Sequence, residues 1–245
     1  MILARISRAV REQNWFAVTI EFLIVVLGVV IGFQIQSWNE TRHGQMRVAQ
    51  ALERLQQETE QNIASLRVRN ETNEARLAEQ ALMVRVAMSG ELAPEDAETF
   101  ERAVAQLMYF SAPPIQEGSY RALEQSGDLT LIDNQELISA LNYYQGAVEW
   151  IEKQHGSFRS GLTTFTDTLN EFVYHEPTDD PAVTRARVDL DRLTEDPRRQ
   201  SALVQMARMH AIFGQYIHWL EGETEELCER LAQETGRPCE VAEPE

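Results

Sequence analysis

The stretch Trp15-Phe-Ala-Val-Thr-Ile-Glu-Phe-Leu-Ile-Val-Val-Leu-Gly-Val-Val-Ile-Gly-Phe-Gln-Ile-Gln-Ser-Trp38 decides how this chain is organised. No residue from 22 to 33 is polar, and Glu21 is the single charge. As a helix the stretch would be about 35 Å long at ~1.5 Å per residue, against a hydrocarbon core of about 30 Å. Trp15 and Trp38 would then lie at the two membrane interfaces, where indoles are enriched. We therefore predict a transmembrane helix over residues 15–38, with Trp15 and Trp38 as its interface anchors.

A cleaved signal peptide is the alternative interpretation, since three arginines precede the stretch. The apolar region of a signal peptide is normally shorter, and it is followed by a cleavage site with small residues. Here the segment Ile31-Gly-Phe-Gln-Ile-Gln-Ser37 offers no such site. The pattern therefore favours an uncleaved anchor.

The charges that flank the stretch predict its orientation. The arginines before it are Arg5, Arg8 and Arg11, opposed by Glu12, whereas Glu40, Arg42 and Arg47 follow it. The positive-inside bias places the more basic side in the cytoplasm. We therefore predict a cytoplasmic tail over residues 1–14 and an extracytoplasmic chain after Trp38. In a Gram-negative cell this is a single-pass inner-membrane protein with a periplasmic domain.

One face of the predicted span carries Glu21, Gly28 and Gly32, because spacings of seven and four residues share a helical stripe. Gly28 and Gly32 form a GxxxG pair, whose spacing lets two helix backbones approach in lipid. This face is the candidate transmembrane interface, and chance is the alternative, since glycine is common in spanning helices. Glu21 lies near the cytoplasmic interface, where its carboxylate could reach lipid head groups.

Two segments resemble a known family. The segment Phe22-Leu-Ile-Val-Val-Leu-Gly-Val-Val-Ile-Gly-Phe-Gln-Ile-Gln-Ser-Trp-Asn-Glu40, with Glu21 before it, is similar to the N-terminal signature of a bacterial single-pass family known as a domain of unknown function. Tyr120-Arg-Ala-Leu-Glu-Gln-Ser-Gly-Asp-Leu-Thr-Leu-Ile132 is a second, weaker similarity, followed by Leu137 and Tyr143-Tyr144. Together they cover about a fifth of the chain. The resemblance implies an inner-membrane anchor with a helical extracytoplasmic part, and it implies no activity.

The charge balance limits the partners of this chain. Its 245 residues include 39 acids and 22 lysines and arginines, for a net charge of −17. Such a surface repels phosphates, so we expect no nucleic acid partner and no electrostatic attachment to anionic lipid. The expected partners are the lipid bilayer and either a second copy or another membrane or periplasmic protein.

The two cysteines, Cys228 and Cys239, both lie on the extracytoplasmic side, where disulfides persist. Gly236 between them is a helix-stop signal, so a bridge would fasten a tail over residues 236–245 to its own helix. An intramolecular bridge, an intermolecular bridge and free thiols all remain open. Neither cysteine has the spacing of a metal ligand.

A long helix is predicted from Trp38 to about Met88, either continuous with the span or following it, and Ser89-Gly90 ends it. Its seam begins at Leu52, Leu55, Thr59, Asn62 and Leu66, then drifts through Ile63, Leu77, Ala81, Val84 and Met88. A second helix is predicted to begin at Pro94, with Ala97, Phe100, Val104 and Leu107 on one face. The sequence therefore predicts that this part of the chain is helical and that its seam contains polar residues.

The next segment is less regular. Residues 120–125 are predicted to form a short helix that stops at Gly127, and residues 128–132 alternate as in an extended segment. Asp133 has the spacing of a capping box with Glu136, which predicts a helix start there.

Two heptad-like seams follow. The first comprises Leu137, Leu141, Tyr144, Val148, Ile151, His155, Phe158, Leu162, Phe165, Leu169 and Phe172. The second begins after Asp196-Pro197 and comprises Leu203, Met206, His210, Phe213, Ile217, Leu220, Thr224, Leu227 and Leu231. Such seams predict an antiparallel hairpin of long helices, with Gly156 and Gly161 as points where the first could kink. Residues 183–193 could be a short helix or irregular. The predicted class is all-α, with a helical bundle domain over residues 39–235.

His155 and His210 are the main polar residues within these seams, and each is a candidate buried polar group. The two seams predict that the histidines do not meet and that each reaches a carboxylate or solvent. Catalytic motifs such as GxSxG, the P-loop and H-E-x-x-H are absent from the sequence, so we expect no enzyme, no cofactor and no metal. The leading hypothesis is a membrane-anchored scaffold or interaction protein, and the alternative is a periplasmic ligand-sensing bundle that signals across the membrane.

Overall fold

The computed structural model describes residues 15–176 and 185–242, and this part of the chain is almost entirely helical. Its seven α-helices are α1 (Trp15–Ser89), α2 (Ala97–Gln106), α3 (Gly118–Ser126), α4 (Gln135–Thr163), α5 (Thr166–Asn170), α6 (Leu190–Glu195) and α7 (Pro197–Thr235). Two 3-10 turns, Pro94–Asp96 and Asp128–Leu131, and two strands, β1 (Val173–Glu176) and β2 (Arg185–Val188), are also present. The predicted all-α class is confirmed.

Helix α1 is one uninterrupted helix of 75 residues that starts in the apolar stretch and ends in the bundle. No proline occurs between Trp15 and Ser89, so nothing removes a backbone donor from its hydrogen-bond ladder. At ~1.5 Å per residue it is about 110 Å long. It ends at Gly90, whose φ of +73° is a left-handed conformation that favours glycine.

The bundle is built on three long helices, and α7 runs antiparallel to both α1 and α4. The contacts that fix this direction are Ala87 with Gln200 and Gln56 with Thr235 between α1 and α7, and Asn134 with Glu234 and Trp150 with Tyr216 between α4 and α7. The predicted antiparallel packing of the two seams is therefore present. We call the end of the bundle nearest the apolar stretch, where residues 44–60 of α1 lie, the proximal end, and the end at Ser89 the distal end.

Helices α2 and α3 pack against α1. Phe100, Val104 and Leu107 of α2 are buried as predicted, although a 3-10 turn precedes the helix and its first residue is Ala97. Helix α3 is two residues longer at its start than predicted, and it stops at Gly127 with a φ of +75°.

The predicted extended segment at residues 128–132 is wrong except at Ile132, because Asp128–Leu131 form a 3-10 turn and only Ile132 has an extended backbone. The amide and the hydroxyl of Thr130 both donate to the carbonyl oxygen of Gly127, at 3.1 and 2.8 Å. Such local bonds compete with an extended backbone. The cap of α4 is also one residue later than predicted: Asn134, and not Asp133, accepts from the amides of Glu136 and Leu137.

The residues of the first seam are buried, apart from the half-buried His155, Phe158 and Phe165, but the seam does not form one continuous helix. Helix α4 ends at Thr163, two residues after Gly161, and the chain restarts as α5. The hydroxyls of Thr163 and Thr164 donate to the carbonyls of Ser160 and Gly161, both at 2.6 Å, and so satisfy the free carbonyls of the last turn. Leu162, Leu169 and Phe172 remain buried across this break.

The connection between the two seams contains a β-hairpin that the sequence pattern does not predict. Strands β1 and β2 pair antiparallel, from Val173 opposite Val188 to Glu176 opposite Arg185. The undecided segment 183–193 thus contains a strand and then α6, capped by the Asp189 carboxylate, which accepts from the Arg192 amide. The loop with Pro177 and Pro181 lies outside the described residues.

The predicted drift of the α1 seam is wrong in its distal half. Leu77 and Met88 are exposed, and the residues buried there are Gln80, Leu82, Met83, Val86 and Ala87. Both α2 and α7 cover this part of α1, so its buried face is wider than a seam against a single helix. In the proximal half the prediction holds: Leu52, Leu55, Thr59, Asn62 and Leu66 are all buried.

The hydrophobic core consists of two clusters along the bundle. The proximal cluster includes Leu52, Leu66, Leu141, Ile151, Ile217 and Leu231. The distal cluster includes Met83, Phe100, Leu162, Phe172, Leu193 and Met206. Phe110 packs against both clusters, so the segment after α2 joins the two halves of the core.

Candidate functional site

The apolar stretch projects from the bundle with its side chains exposed. Every residue from Ile20 to His43 is exposed, and Gly44 is the first buried residue after them. The described residues contain one stretch that is long and apolar enough to cross a membrane, and it is this one. Within the part of the chain that the structure describes, no protein covers this stretch.

Glu21, Gly28 and Gly32 lie on one stripe of this projecting helix, as their spacing predicts. A Cβ atom built on Gly28 or Gly32 would have no heavy atom within 4 Å apart from its chain neighbours and the adjoining backbone of α1, so the backbone at this stripe is bare. A second helix could approach it closely.

Of the two predicted interface anchors, Trp38 is 67% exposed, and the Arg42 guanidinium lies 6.0 Å from its ring centroid. A tryptophan with a neighbouring cation is typical of a residue at a lipid head-group boundary. Trp15 begins α1, but its side chain lies outside the described residues, as does the tail over residues 1–14.

The sequence suggested a carboxylate or solvent as the partner of each seam histidine, but in the structure both Nε2 atoms meet one short backbone segment. His155 Nε2 lies 3.0 Å from the carbonyl oxygen of Phe110, and His210 Nε2 lies 2.8 Å from that of Leu107. Because a carbonyl only accepts, each ring donates its Nε2 proton. Both rings also pack on the Phe110 ring, with centroids 5.5 and 5.0 Å away, so the histidines share a neighbour although their helices differ.

This arrangement is structural in character. Burial lowers the pKa of His210, the bond to Leu107 raises it, and the charge of Arg76 lowers it. The Nε2 proton of His210 satisfies the Leu107 carbonyl at the end of α2, where carbonyl groups have no hydrogen-bond partner within the helix. Neither Nε2 is free to bind a metal in this arrangement.

The C-terminal tail is fastened to two helices at the proximal end. A disulfide joins Cys228 of α7 to Cys239, with a Cα–Cα distance of 5.8 Å. Arg237 Nη2 donates to both oxygens of the Glu60 carboxylate, each at 2.6 Å, and so connects the tail to α1. The amide of Glu240 donates to the same carboxylate at 3.1 Å.

Glu60 and the two cysteines also form the one cluster of metal-ligand types found among the described residues, with ligand atoms within 4.8 Å of one another. The disulfide consumes both thiols, and Arg237 occupies the carboxylate. In this state the cluster fastens the tail and offers no thiolate.

An open groove of about 800 Å³ lies between α4 and α7 towards the proximal end. Its lining is Gln135, Glu136, Ser139, Ala140, Tyr143 and Tyr144 from α4, and Glu223, Glu226, Leu227 and Arg230 from α7. The small side chains of Ser139 and Ala140 leave the space, and the buried Tyr144 and Leu227 form its floor. The groove thus combines an apolar floor with three carboxylates and one guanidinium.

The phenol of Tyr144 is a polar group in the buried first seam, directly below the groove. Its side chain is 8% exposed, and its Oη has no hydrogen-bond partner within the described part of the chain, although Thr224 and Asn62 are near. Burial raises the pKa of this phenol, so it stays neutral. The Thr224 hydroxyl instead donates to Leu220, and the Asn62 side chain binds the backbone of Gln116.

The sequence patterns did not single out this groove. A signal for it exists, because Tyr216, Trp219, Glu223, Glu226 and Arg230 alternate spacings of three and four, one residue before the buried seam of α7. The buried seam is the stronger pattern, and acids beside such a seam are typical of a solvated helix face.

No family model, curated protein or solved structure matches this chain. The resemblance of residues 22–40 and 120–132 to a bacterial single-pass family therefore stays a prediction.

Proposed function

We propose that this chain is a single-pass protein of the bacterial inner membrane that presents a helical bundle in the periplasm and acts there by protein contacts, without catalysis. The observation that carries the proposal is the continuity of α1, from the apolar stretch to Ser89. A helix without a break fixes the bundle relative to the membrane, which suits a scaffold.

The orientation in this proposal rests on the arginines before residue 15 and on the disulfide, which is the form that a periplasmic domain maintains. Fusion of a reporter that is active only in the periplasm to the C-terminus tests it. We expect activity from this fusion and none from a reporter that is active only in the cytoplasm. The reverse result would refute the orientation.

We also propose self-association through the stripe of Glu21, Gly28 and Gly32. The bare backbone at both glycines supports this, because it allows close helix packing in lipid. Gly28→Ile should abolish dimer cross-linking in native membranes. Val30→Ile, on the opposite side of α1, is the matched control and should leave it unchanged. Monomer alone in the unmodified protein would end this part of the proposal.

The second candidate function is a ligand-sensing bundle that signals across the membrane, and the groove with Tyr144 in its floor favours it. To signal, a molecule bound in the groove would have to change the arrangement of the apolar stretch by acting through α7 and α1. A bulky maleimide attached to Tyr143→Cys mimics an occupant. A changed rate of cross-linking between apolar stretches would support sensing, and an unchanged rate would support the scaffold.

A further inference from the structure

The groove continues as an exposed stripe on both of its helices. On α4 the stripe is Glu136, Tyr143 and Trp150, each seven residues from the next. On α7 the stripe is Tyr216, Trp219, Glu223, Glu226 and Arg230. Such spacings place each set on one line along its helix, and two such lines side by side form the seat for a further helix.

The distal half of this stripe is aromatic. Trp150 of α4 meets Tyr216 and Trp219 of α7 edge to face, with centroids 4.7 and 5.7 Å apart. Trp150 and Trp219 remain 39% and 37% exposed, and Tyr143 is 59% exposed. Partly exposed aromatic side chains that already pack against one another are typical anchors of protein interfaces.

The proximal half of the stripe is acidic. Arg230 Nη2 donates to Glu226 at 2.7 Å, which raises the pKa of Arg230, and the charge of Glu136 adds to this effect. Glu223 makes no ion pair within the described ranges. Three carboxylates therefore face one guanidinium, and the groove keeps an excess of negative charge.

We propose that this surface, the α4–α7 docking face (Glu136, Tyr143, Trp150, Trp219, Glu223 and Glu226), binds an amphipathic helix of another protein. That helix carries aliphatic or aromatic side chains that contact Trp150 and Trp219. About seven residues further along it, Lys or Arg side chains pair with Glu223 and Glu226. The spacing follows from the seven residues, or about 10 Å, between Trp219 and Glu226. The inference rests on the proposed function and deepens it by naming the face and the kind of partner.

Charge complementarity selects this occupant over the alternatives. A second copy carries the same net charge of −17, so it is repelled by an acidic groove. Anionic lipid is repelled for the same reason. A basic helix is attracted, and its apolar residues cover the exposed rings.

The test uses the full chain in nanodiscs of neutral phospholipid and a fluorescent three-heptad helical peptide. The peptide carries Leu at the stripe positions and Lys one heptad away, and a second peptide replaces each Lys by Glu. Fluorescence anisotropy should show binding of the Lys peptide alone, weakening as salt is raised. Glu223→Gln with Glu226→Gln should weaken binding about tenfold, as expected for two exposed ion pairs. Trp219→Ala should weaken it by about tenfold or more.

Two further variants sharpen this test. Glu152→Gln with Glu229→Gln removes two exposed acids of the same helices outside the groove, and it should change affinity by less than about twofold. Tyr143→Arg adds a bulky cation to the groove and should abolish binding in a protein with an unchanged circular dichroism spectrum. Equal losses from both pairs of substitutions, equal binding of the Glu peptide, or no binding of either peptide would overturn the proposal.

Photo-cross-linking in cells separates this inference from the proposed function. A cross-linker in place of Trp219 should capture a lysine- or arginine-rich helical segment, whereas one in place of the exposed Val68 of α1 should not. Capture through Val68 alone would overturn the docking face and leave the scaffold function standing. Failure to capture any protein from either position would count against both.

Discussion

His155 and His210 lie on different helices, yet they bind the same stretch of backbone, through the carbonyls of Phe110 and Leu107. This stretch joins the two halves of the core, because the Phe110 side chain packs against both. The histidines thus hold α4 and α7 to the segment that follows α2. Both act as donors to backbone carbonyls at and just after the end of α2.

Lowering the pH should therefore weaken the fold through His210. Burial lowers the pKa of its imidazole below the ordinary value of 6.5, so the unfolded chain binds this proton more tightly than the folded one. The stability is fully present above 6.5 and is lost as the pH falls from there through the folded pKa. His210→Gln keeps a donor for Leu107 and should reduce the slope of unfolding free energy against pH in this window. An unchanged slope in His210→Gln would contradict this role of His210.

The ion pair between Arg237 and Glu60 should contribute measurably to stability. Glu60 is 12% exposed and loses its bidentate partner in Arg237→Ala, which should cost about 1–2 kcal/mol after allowance for the 39% exposure of the arginine. Arg230→Ala is a matched control, because this arginine is also 39% exposed but pairs with the 58% exposed Glu226. Urea unfolding should show a clearly smaller loss for Arg230→Ala than for Arg237→Ala. Equal losses would contradict the role given to burial of Glu60.

Removal of the disulfide should lower stability by about 2–3 kcal/mol, because it closes a short loop with a sequence separation of 11. Cys228→Ala with Cys239→Ala should match reduction of the unmodified protein in thermal unfolding. Hydrogen exchange should locate the change at the tail, including the Glu240 amide, which donates to Glu60. Faster exchange spread evenly through α7 would argue against a bridge that acts locally.

Breaking α1 between the apolar stretch and the bundle should separate the two without unfolding the bundle. Arg42 is exposed and precedes the first buried residue after the apolar stretch, so Arg42→Pro should leave the unfolding midpoint of the bundle nearly unchanged. Gln50→Pro, between the buried Val48 and Leu52, should lower the free energy of unfolding of the bundle by about 3 kcal/mol or more. Spin labels at residues 33 and 68, which flank both substitutions, should report a broader distance distribution for each variant. An unchanged distribution would mean that α1 remains straight.

The elements that the sequence predicted well are those whose burial is one-sided and repeated. In α7 every seam residue from Leu203 to Leu231 is buried except the half-buried His210, because one helix face meets its neighbours over the whole length. The stops at Gly90, Gly127 and Gly236 were equally predictable, since each takes a positive φ. Local chemistry and a single period account for this part of the fold.

The remaining features depend on contacts between residues far apart in the sequence. The partners of His155 and His210 are 45 and 103 residues away, and they are backbone atoms, which carry no sequence signal. The distal face of α1 follows two neighbouring elements, so no single period describes it. The β-hairpin is four residues per strand, too short for alternation to be distinguished from a loop. The docking face was hidden for a different reason, since its pattern lies beside a stronger one.

The unbroken course of α1 makes it a mechanical lever. With its length of about 110 Å, a tilt of one degree about the Trp15 end would displace the Ser89 end by about 2 Å. A rotation of the apolar stretch by a quarter-turn about its own axis would likewise carry the helices that pack on α1 to a different side of that axis. Any change in the tilt of the apolar stretch within the bilayer therefore produces a larger lateral displacement at the Ser89 end of the molecule.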